Sequence, residues 1–422
     1  MLPQVGLGVF VCCLASGIIF GYAALKPILI AEGVYRELCP STVIASSDLK
    51  PPGIREANDI PCAEQDMRLN LFFVTAAIVG NTSTLFAGAT LDRFGRHICY
   101  LISSLLLAVG CVLMASSFTF PRFDGYFAGN LFLALGGTFL FVASFQLANA
   151  IPKHSGMIVA LVTGAFDASA AVFLFYRMAY DASDGAFSPS FFFFGYLIIP
   201  ALIFVAEFTF MPRGTYHTTP ELEQKIERAK DSALDIHDSD TDISSDGELR
   251  RVRSLRAERR FAKLGQLEDL VGDFQERQER ADREEKQQAI SGVWGALYDV
   301  PAHQQMLTPW FIFLLLLTVS QMLRMNYFIA TIRAQYRYML RSDDEAQAIN
   351  HLFDVALPVA GVVSTPFIGL LLNNLSVVMT LSILTIFIII IGILNCLPYL
   401  WAGYMTVIAF VFFRPLYYSA VS

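Results

Sequence analysis

Apolar residues in this chain come in long unbroken runs, not in the one-sided or alternating patterns of a water-soluble domain. A helix needs about 20 apolar residues to cross a bilayer. Runs of that kind fall at 5–30, 69–91, 98–120, 125–149, 155–178 and 189–211. A polar stretch follows at 212–305, and further runs lie at 309–332, 350–372, 376–397 and 400–421. The pattern predicts an all-α membrane protein with six helices, an interruption, then four. Residues 355–413 carry no charge, and Asn373-Asn374 and Pro398 supply the turns that divide them. Val5–Leu25 is also uncharged, and only Met-Leu-Pro-Gln precedes it. A secretory leader wants a basic start and a shorter core, so this run reads as a retained first span.

The stretch 212–305 holds half of all Lys and Arg and more than half of all Asp and Glu, which places it outside lipid. Pro220–Leu234 and Gly247–Gln288 are rich in helix-forming residues. Asp235–Asp246 is acidic and rich in Ser and Thr, a composition that favours disorder. Leu249, Val252, Leu264, Leu267, Val271 and Phe274 form one apolar helix face, suited to the membrane or to the inner side of the bundle. The domains are therefore 1–211, a six-helix bundle with an external loop at 31–68; 212–305, a cytoplasmic linker; and 306–422, a second bundle. Counting Lys and Arg in the short loops alone does not orient the chain. The linker tips the count toward a cytoplasmic position for both ends of the first bundle, but long segments weigh little in this rule, and that placement rests mainly on the motif between the second and third runs.

Composition agrees with lipid as part of the solvent. The chain has 422 residues, 55% apolar and only 16% charged, against roughly 25% charged in soluble domains. A net charge of −7 speaks against nucleic acid as a partner. No phosphate-binding G-x-x-x-x-G-K-[ST] loop, metal-ligand spacing or catalytic triad is visible, so no cofactor is expected. Six scattered His leave no cluster for a membrane enzyme.

Between the second and third runs lies Gly88-Ala-Thr-Leu-Asp92-Arg93-Phe-Gly95-Arg96-His97. Gly88 would let a neighbouring helix approach closely, Asp92 would cap a helix and pair with an Arg, and Gly95 would allow a tight turn. The run resembles the cytoplasmic gating motif of the major facilitator superfamily, with His97 in place of its last basic residue. Gly369 and Asn373 keep the same Gly-to-Asp spacing in the second half, as a fold built from repeats would require. Against a twelve-helix frame the chain reads as C-terminally incomplete, with four of the expected six helices in its second half. The resemblance implies that flux needs the remaining two.

Further blocks narrow the resemblance. Glu32-Gly33-Val-Tyr35 leads to Leu38-Cys39-Pro40, Cys62-Ala-Glu-Gln-Asp66 runs into Leu69-Asn70-Leu71, and Leu323-Arg324, Pro366-Phe-Ile-Gly369 and Arg414 follow. Together they resemble solute carrier family 43, the L-type neutral amino-acid carriers, and their fungal relatives. The family implies alternating-access transport of large neutral amino acids, while one branch carries purine nucleobases. A transport-inactive receptor with the same shell is the competing reading. Cys39 and Cys62 share one external polar loop, and in that compartment they are expected to form a disulfide rather than two free thiols. The departures are Asp167, where animal carriers are uncharged, and Lys26-Pro27.

A charge inside an apolar run is expensive and points to function. Asp167, Arg324 and Asp354 qualify, whereas Arg177, Glu207 and Arg414 lie nearer run ends and can reach the interface. Arg324 sits among Gln321, Asn326 and Tyr327, a polar cluster able to grip a substrate carboxylate. Alternatively, Arg324 pairs with Asp167 or Asp354 and merely steadies the bundle. Asp167 is suited to a substrate amino group or a coupling proton, and Gln146 to the cavity wall. Gly136, Gly137 and Gly164 permit close helix packing or broken-helix contact with substrate.

Overall fold

The computed structural model describes residues 2–40, 62–120, 123–151, 154–212, 216, 219–230, 240, 245–272, 274–291, 302–375 and 377–421. Among these the chain is helical and contains no strand. The first half comprises α1 (Leu2–Ala15), α2 (Tyr22–Ala31), α3 (Ala63–Thr119), α4 (Tyr126–Ser144), α5 (Ser155–Ala168), α6 (Ala171–Ala182), α7 (Pro189–Tyr196) and α8 (Ile198–Thr209). The linker contributes α9 (Thr219–Lys230), α10 (Asp246–Val271) and α11 (Phe274–Ser291). The second half comprises α12 (Pro309–Leu340), α13 (Asp343–Asn374), α14 (Val377–Asn395) and α15 (Leu400–Val421).

Local chemistry sets the helix starts. Ser188, Thr308 and Ser342 cap α7, α12 and α13 by accepting from the backbone N–H of Phe191, Phe311 and Glu345. Pro189 and Pro309 occupy the first turn, where the missing N–H costs nothing. Asp343, Asp344 and Glu345 add negative charge at the N-terminus of α13. Helix α12 runs on from 332 to Leu340 and α13 starts at Asp343, ahead of 350, each about two turns beyond its apolar run, because polar residues continue a helix freely once it leaves lipid.

Three breaks shape the first half. α3 is 57 residues long, roughly 85 Å at the helical rise, which is twice a bilayer. It divides at Gly95, whose φ of 78° and ψ of 177° lie outside the reach of an L side chain. The first span bends by 40° between Ala15 and Ile18. The fifth span is interrupted at Ser169–Ala170, and its Ser169 hydroxyl accepts the Gly17 N–H at 2.8 Å. The breaks in spans one and five thus meet, and the side chain of one satisfies a backbone N–H of the other.

Small residues let these helices close up. A Cβ on Gly136 would meet the Leu107 backbone N at 2.9 Å, and one on Gly137 would strike the Ser16 carbonyl oxygen. Gly136 and Gly137 therefore serve helix packing. Between the halves, α5 and α6 meet α13, α5 meets α15, and α12 meets α2 and α3. Helix α9 folds back on α10, burying Leu222 and Ile226 against Val271, with Leu264 and Leu267 beside them. The apolar face expected on the membrane or bundle is thus partly spent on α9, while Phe274 stays exposed. The acidic segment 231–244 lies outside the described residues apart from Asp240.

Candidate functional site

Cys39 and Cys62 form a disulfide between the end of the first span and the start of α3, with Cα atoms 5.8 Å apart. The side of the bundle that carries it is called the disulfide face, and the side that carries 212–305 the linker face. Near the disulfide face, Gln65 donates to the Val34 carbonyl at 2.9 Å and Tyr35 donates to Asp124 at 3.2 Å. Burial, and then the Asp124 carboxylate, push the Tyr35 phenol above its usual range.

Below this cap, both halves enclose a cavity of about 420 Å³. Tyr22 and Lys26 come from α2, Asp66 from the start of α3, Ile329 and Arg333 from α12, and Asn350 from α13. Lys26 Nζ lies 2.7 Å from Asp66 and 2.8 Å from Asn70 Oδ1. Arg333 reaches Asp343 at 3.1 Å. A second cavity of about 440 Å³ shares Pro27, Arg333 and Asn350 with the first and extends to Arg177 and His351. Both signs of charge and an apolar wall therefore face one space between the halves.

Two ion pairs bridge the halves beneath it. Arg177 of α6 lies 3.1 Å from Asp354 of α13, and Asn350 donates to the same carboxylate oxygen at 3.1 Å. Asn350 thus links the cavity wall to this pair. Deeper, Arg414 of α15 lies 3.2 Å from Asp167 of α5, with side chains 0% and 1% exposed. The Arg414 guanidinium sits 4.5 Å from the Phe20 ring centre and 5.6 Å from that of Tyr418. This pair lies beside the breaks of spans one and five, where irregular backbone in a membrane is tolerated only around a buried site.

The structure does not bring the polar cluster of α12 to this place. Arg324 donates to the Ile388 carbonyl of α14 at 3.1 Å, inside the second half. Its expected partners are taken: Asp167 by Arg414 and Asp354 by Arg177. Tyr327 is 58% exposed on the outside of the bundle, and Asn326 is half-buried. Gln321 and Gln146 each keep a buried side-chain oxygen without a partner among the described residues. Lys26, Arg333, Arg177 and Arg414 carry the arrangement instead. All four sit where the apolar runs end or change, and Lys26-Pro27 was the one visible departure among them.

The Gly88–His97 run turns at the linker face, with Gly95 at the turn. Its ionic contact differs from expectation. Asp92 and Arg93 are exposed and make no ion pair among the described residues, and a Cβ on Gly88 would meet nothing within 4 Å. Arg96 is the buried member. It binds Glu207 of α8 at 2.6 Å and donates to the Pro212 carbonyl at 3.0 Å. His97 takes the other Glu207 oxygen at 3.0 Å. Glu207 stands near the end of an apolar run, yet it is buried, because Arg96 and His97 of the turn converge on it. Gly369 and Asn373 fall in the last turns of α13, and their side chains lie outside the described residues.

The model of the Major Facilitator Superfamily matches residues 7–422. Protein FMP42 of Saccharomyces cerevisiae is 36% identical over 99% of this chain and 81% of its own length. Equilibrative nucleobase transporter 1 of Bos taurus is 29% identical over 41% of this chain and 34% of its own. Large neutral amino acids transporter small subunit 3 of Homo sapiens is 31% identical over 40% of this chain and 30% of its own. The solved structure of the proton:xylose symporter XylE, bound to 6-bromo-6-deoxy-D-glucose, superimposes with a TM-score of 0.53 over 99% of this chain and 81% of that one. At 12% identity, that likeness is one of fold.

Proposed function

This chain belongs to the major facilitator superfamily of small-solute transporters, and from that premise we propose that it carries neutral amino acids by alternating access, with the cavity at the disulfide face as the entrance to its substrate site. Membership makes the protein an integral, multi-pass transporter and not an enzyme. The observation that carries the substrate proposal is the lining of the cavity. Lys26 and Arg333 can meet a carboxylate, Asp66 an ammonium group, and Ile30, Ile329 and Ile332 an apolar side chain. These are the three parts of a large neutral amino acid. A purine nucleobase carries no such pair of full charges, so the lining favours the zwitterion.

In this reading the disulfide face is external and 212–305 is a cytoplasmic linker. A zwitterion entering the cavity competes for the Lys26–Asp66 and Arg333–Asp343 pairs. Asn350 passes that change to the Arg177–Asp354 bridge, which holds the halves together on that side. Charge-assisted hydrogen bonds exchange partners here, so the interface opens without leaving an ion unpaired.

The test is uptake by the full-length protein in proteoliposomes. Tritiated leucine or phenylalanine should enter saturably, unlabelled large neutral amino acids should compete, and adenine should not. Arg333→Gln should raise KM at least about tenfold, as loss of about 1.4 kcal/mol of binding would. Competition by adenine together with indifference to leucine would transfer the site to nucleobases and refute the proposal.

A further inference from the structure

One face of the linker takes no part in the proposed transport cycle. Between residues 250 and 263, α10 carries seven cations, Arg250, Arg251, Arg253, Arg256, Arg259, Arg260 and Lys263, against one acid, Glu258. They divide by direction. Arg253 and Arg256 hold Asp240 at 2.9 and 2.6 Å, and Arg260 donates to the Ala229 carbonyl at 3.0 Å. These three face the α9 side and build the hairpin. Arg250, Arg251, Arg259 and Lys263 are exposed and make no ion pair among the described residues. Leu255, 46% exposed, and Phe261, 60% exposed, stand on the same outer arc. The apolar seam with α9 is on the other side of the helix, so this outer arc is not needed for packing.

The linker as a whole is acidic, and cations gathered on one helix face against that background suit an anionic occupant. We propose that this face of α10 lies on the anionic lipid headgroups of the protein's own bilayer, with Leu255 and Phe261 dipping into the interface. Three observations favour lipid. The linker is tethered to the membrane at both ends, by α8 and α12, so the surface is always within reach. Free cations next to exposed apolar side chains are the composition of an interfacial helix. Clusters of Lys and Arg beside a membrane span bind the anionic cytoplasmic leaflet. The proposal uses the cytoplasmic placement of the linker and is independent of what the protein carries.

Ser254 lies within this face, three and four residues after Arg251 and Arg250, with its hydroxyl exposed and bonded to the Arg251 carbonyl at 2.9 Å. A phosphate there would add a charge of roughly −1.5 to −2 amid the four cations and weaken lipid contact.

The experiment places a bimane on Ala262→Cys in the full-length protein carrying Cys396→Ser, in nanodiscs of phosphatidylcholine alone or enriched in phosphatidylserine. Headgroup-proximal doxyl lipids report contact by quenching. Quenching should be strong with phosphatidylserine, several-fold weaker without it, and lost at high salt. Each cation converted to Gln should weaken the contact about fivefold, so the quadruple variant of Arg250, Arg251, Arg259 and Lys263 should remove the phosphatidylserine dependence. Ser254→Glu should reduce it with the hairpin contacts untouched. Equal quenching in the two lipids, or a dependence that survives the quadruple variant, would overturn the proposal and leave the face to an acidic protein partner.

Discussion

Arg414→Ala should leave little folded protein. The substitution strands Asp167 as a lone carboxylate whose side chain is 1% exposed, beside the breaks of spans one and five. Breaking a buried pair by removing one partner costs about 3–5 kcal/mol, a large part of what a domain has to spare. The double variant Asp167→Asn/Arg414→Gln should recover most of the folded yield, because no uncompensated charge remains. Thermal unfolding of detergent-solubilised protein, followed by size-exclusion fluorescence, reads the difference. A single variant as stable as the parent would show that the pair is not buried as described.

Reversing Arg177 or Asp354 singly should cut the initial rate of uptake at least about tenfold while the protein still reaches the membrane. The double reversal Arg177→Asp/Asp354→Arg should restore much of it. Arg177 is 16% exposed, so water blunts the effect on stability relative to Arg414. The effect on transport remains, since this bridge joins the halves that must separate on the disulfide face. A double-mutant cycle with a coupling of about 1.5 kcal/mol or more is expected for a close charge pair. Additive losses would remove the bridge from the cycle.

How far the sequence reveals this arrangement can be judged residue by residue. The charge-free runs mark which segments enter lipid, and Gly95 marks the turn between the second and third spans, because both follow from composition and backbone freedom alone. The direction in which a charge points does not follow. Arg324 and Arg333 lie on the same helix, nine residues apart, which is about half a turn around its axis. Arg324 therefore meets α14 and Arg333 meets the cavity, yet Arg324 is the more conspicuous of the two inside an apolar run. Arg414 is inconspicuous in the sequence for a related reason. It stands near the end of an apolar run, but α15 packs on α5 there, so the side chain is enclosed by protein and does not reach the interface. Arg96 rather than Asp92 anchors the linker-face turn, because Glu207, 111 residues away in sequence, comes to it only in the fold.

On the proposed function, neutral amino acids occupy the cavity shared by the two halves. Ala334 lines that cavity and is exposed within it. The most direct measurement is the rate at which Ala334→Cys, in otherwise full-length protein reconstituted in liposomes, reacts with a membrane-impermeant thiosulfonate added from the disulfide face. Rapid modification is expected, which saturating leucine slows severalfold and adenine leaves unchanged. Modification at the same rate with and without leucine would contradict it.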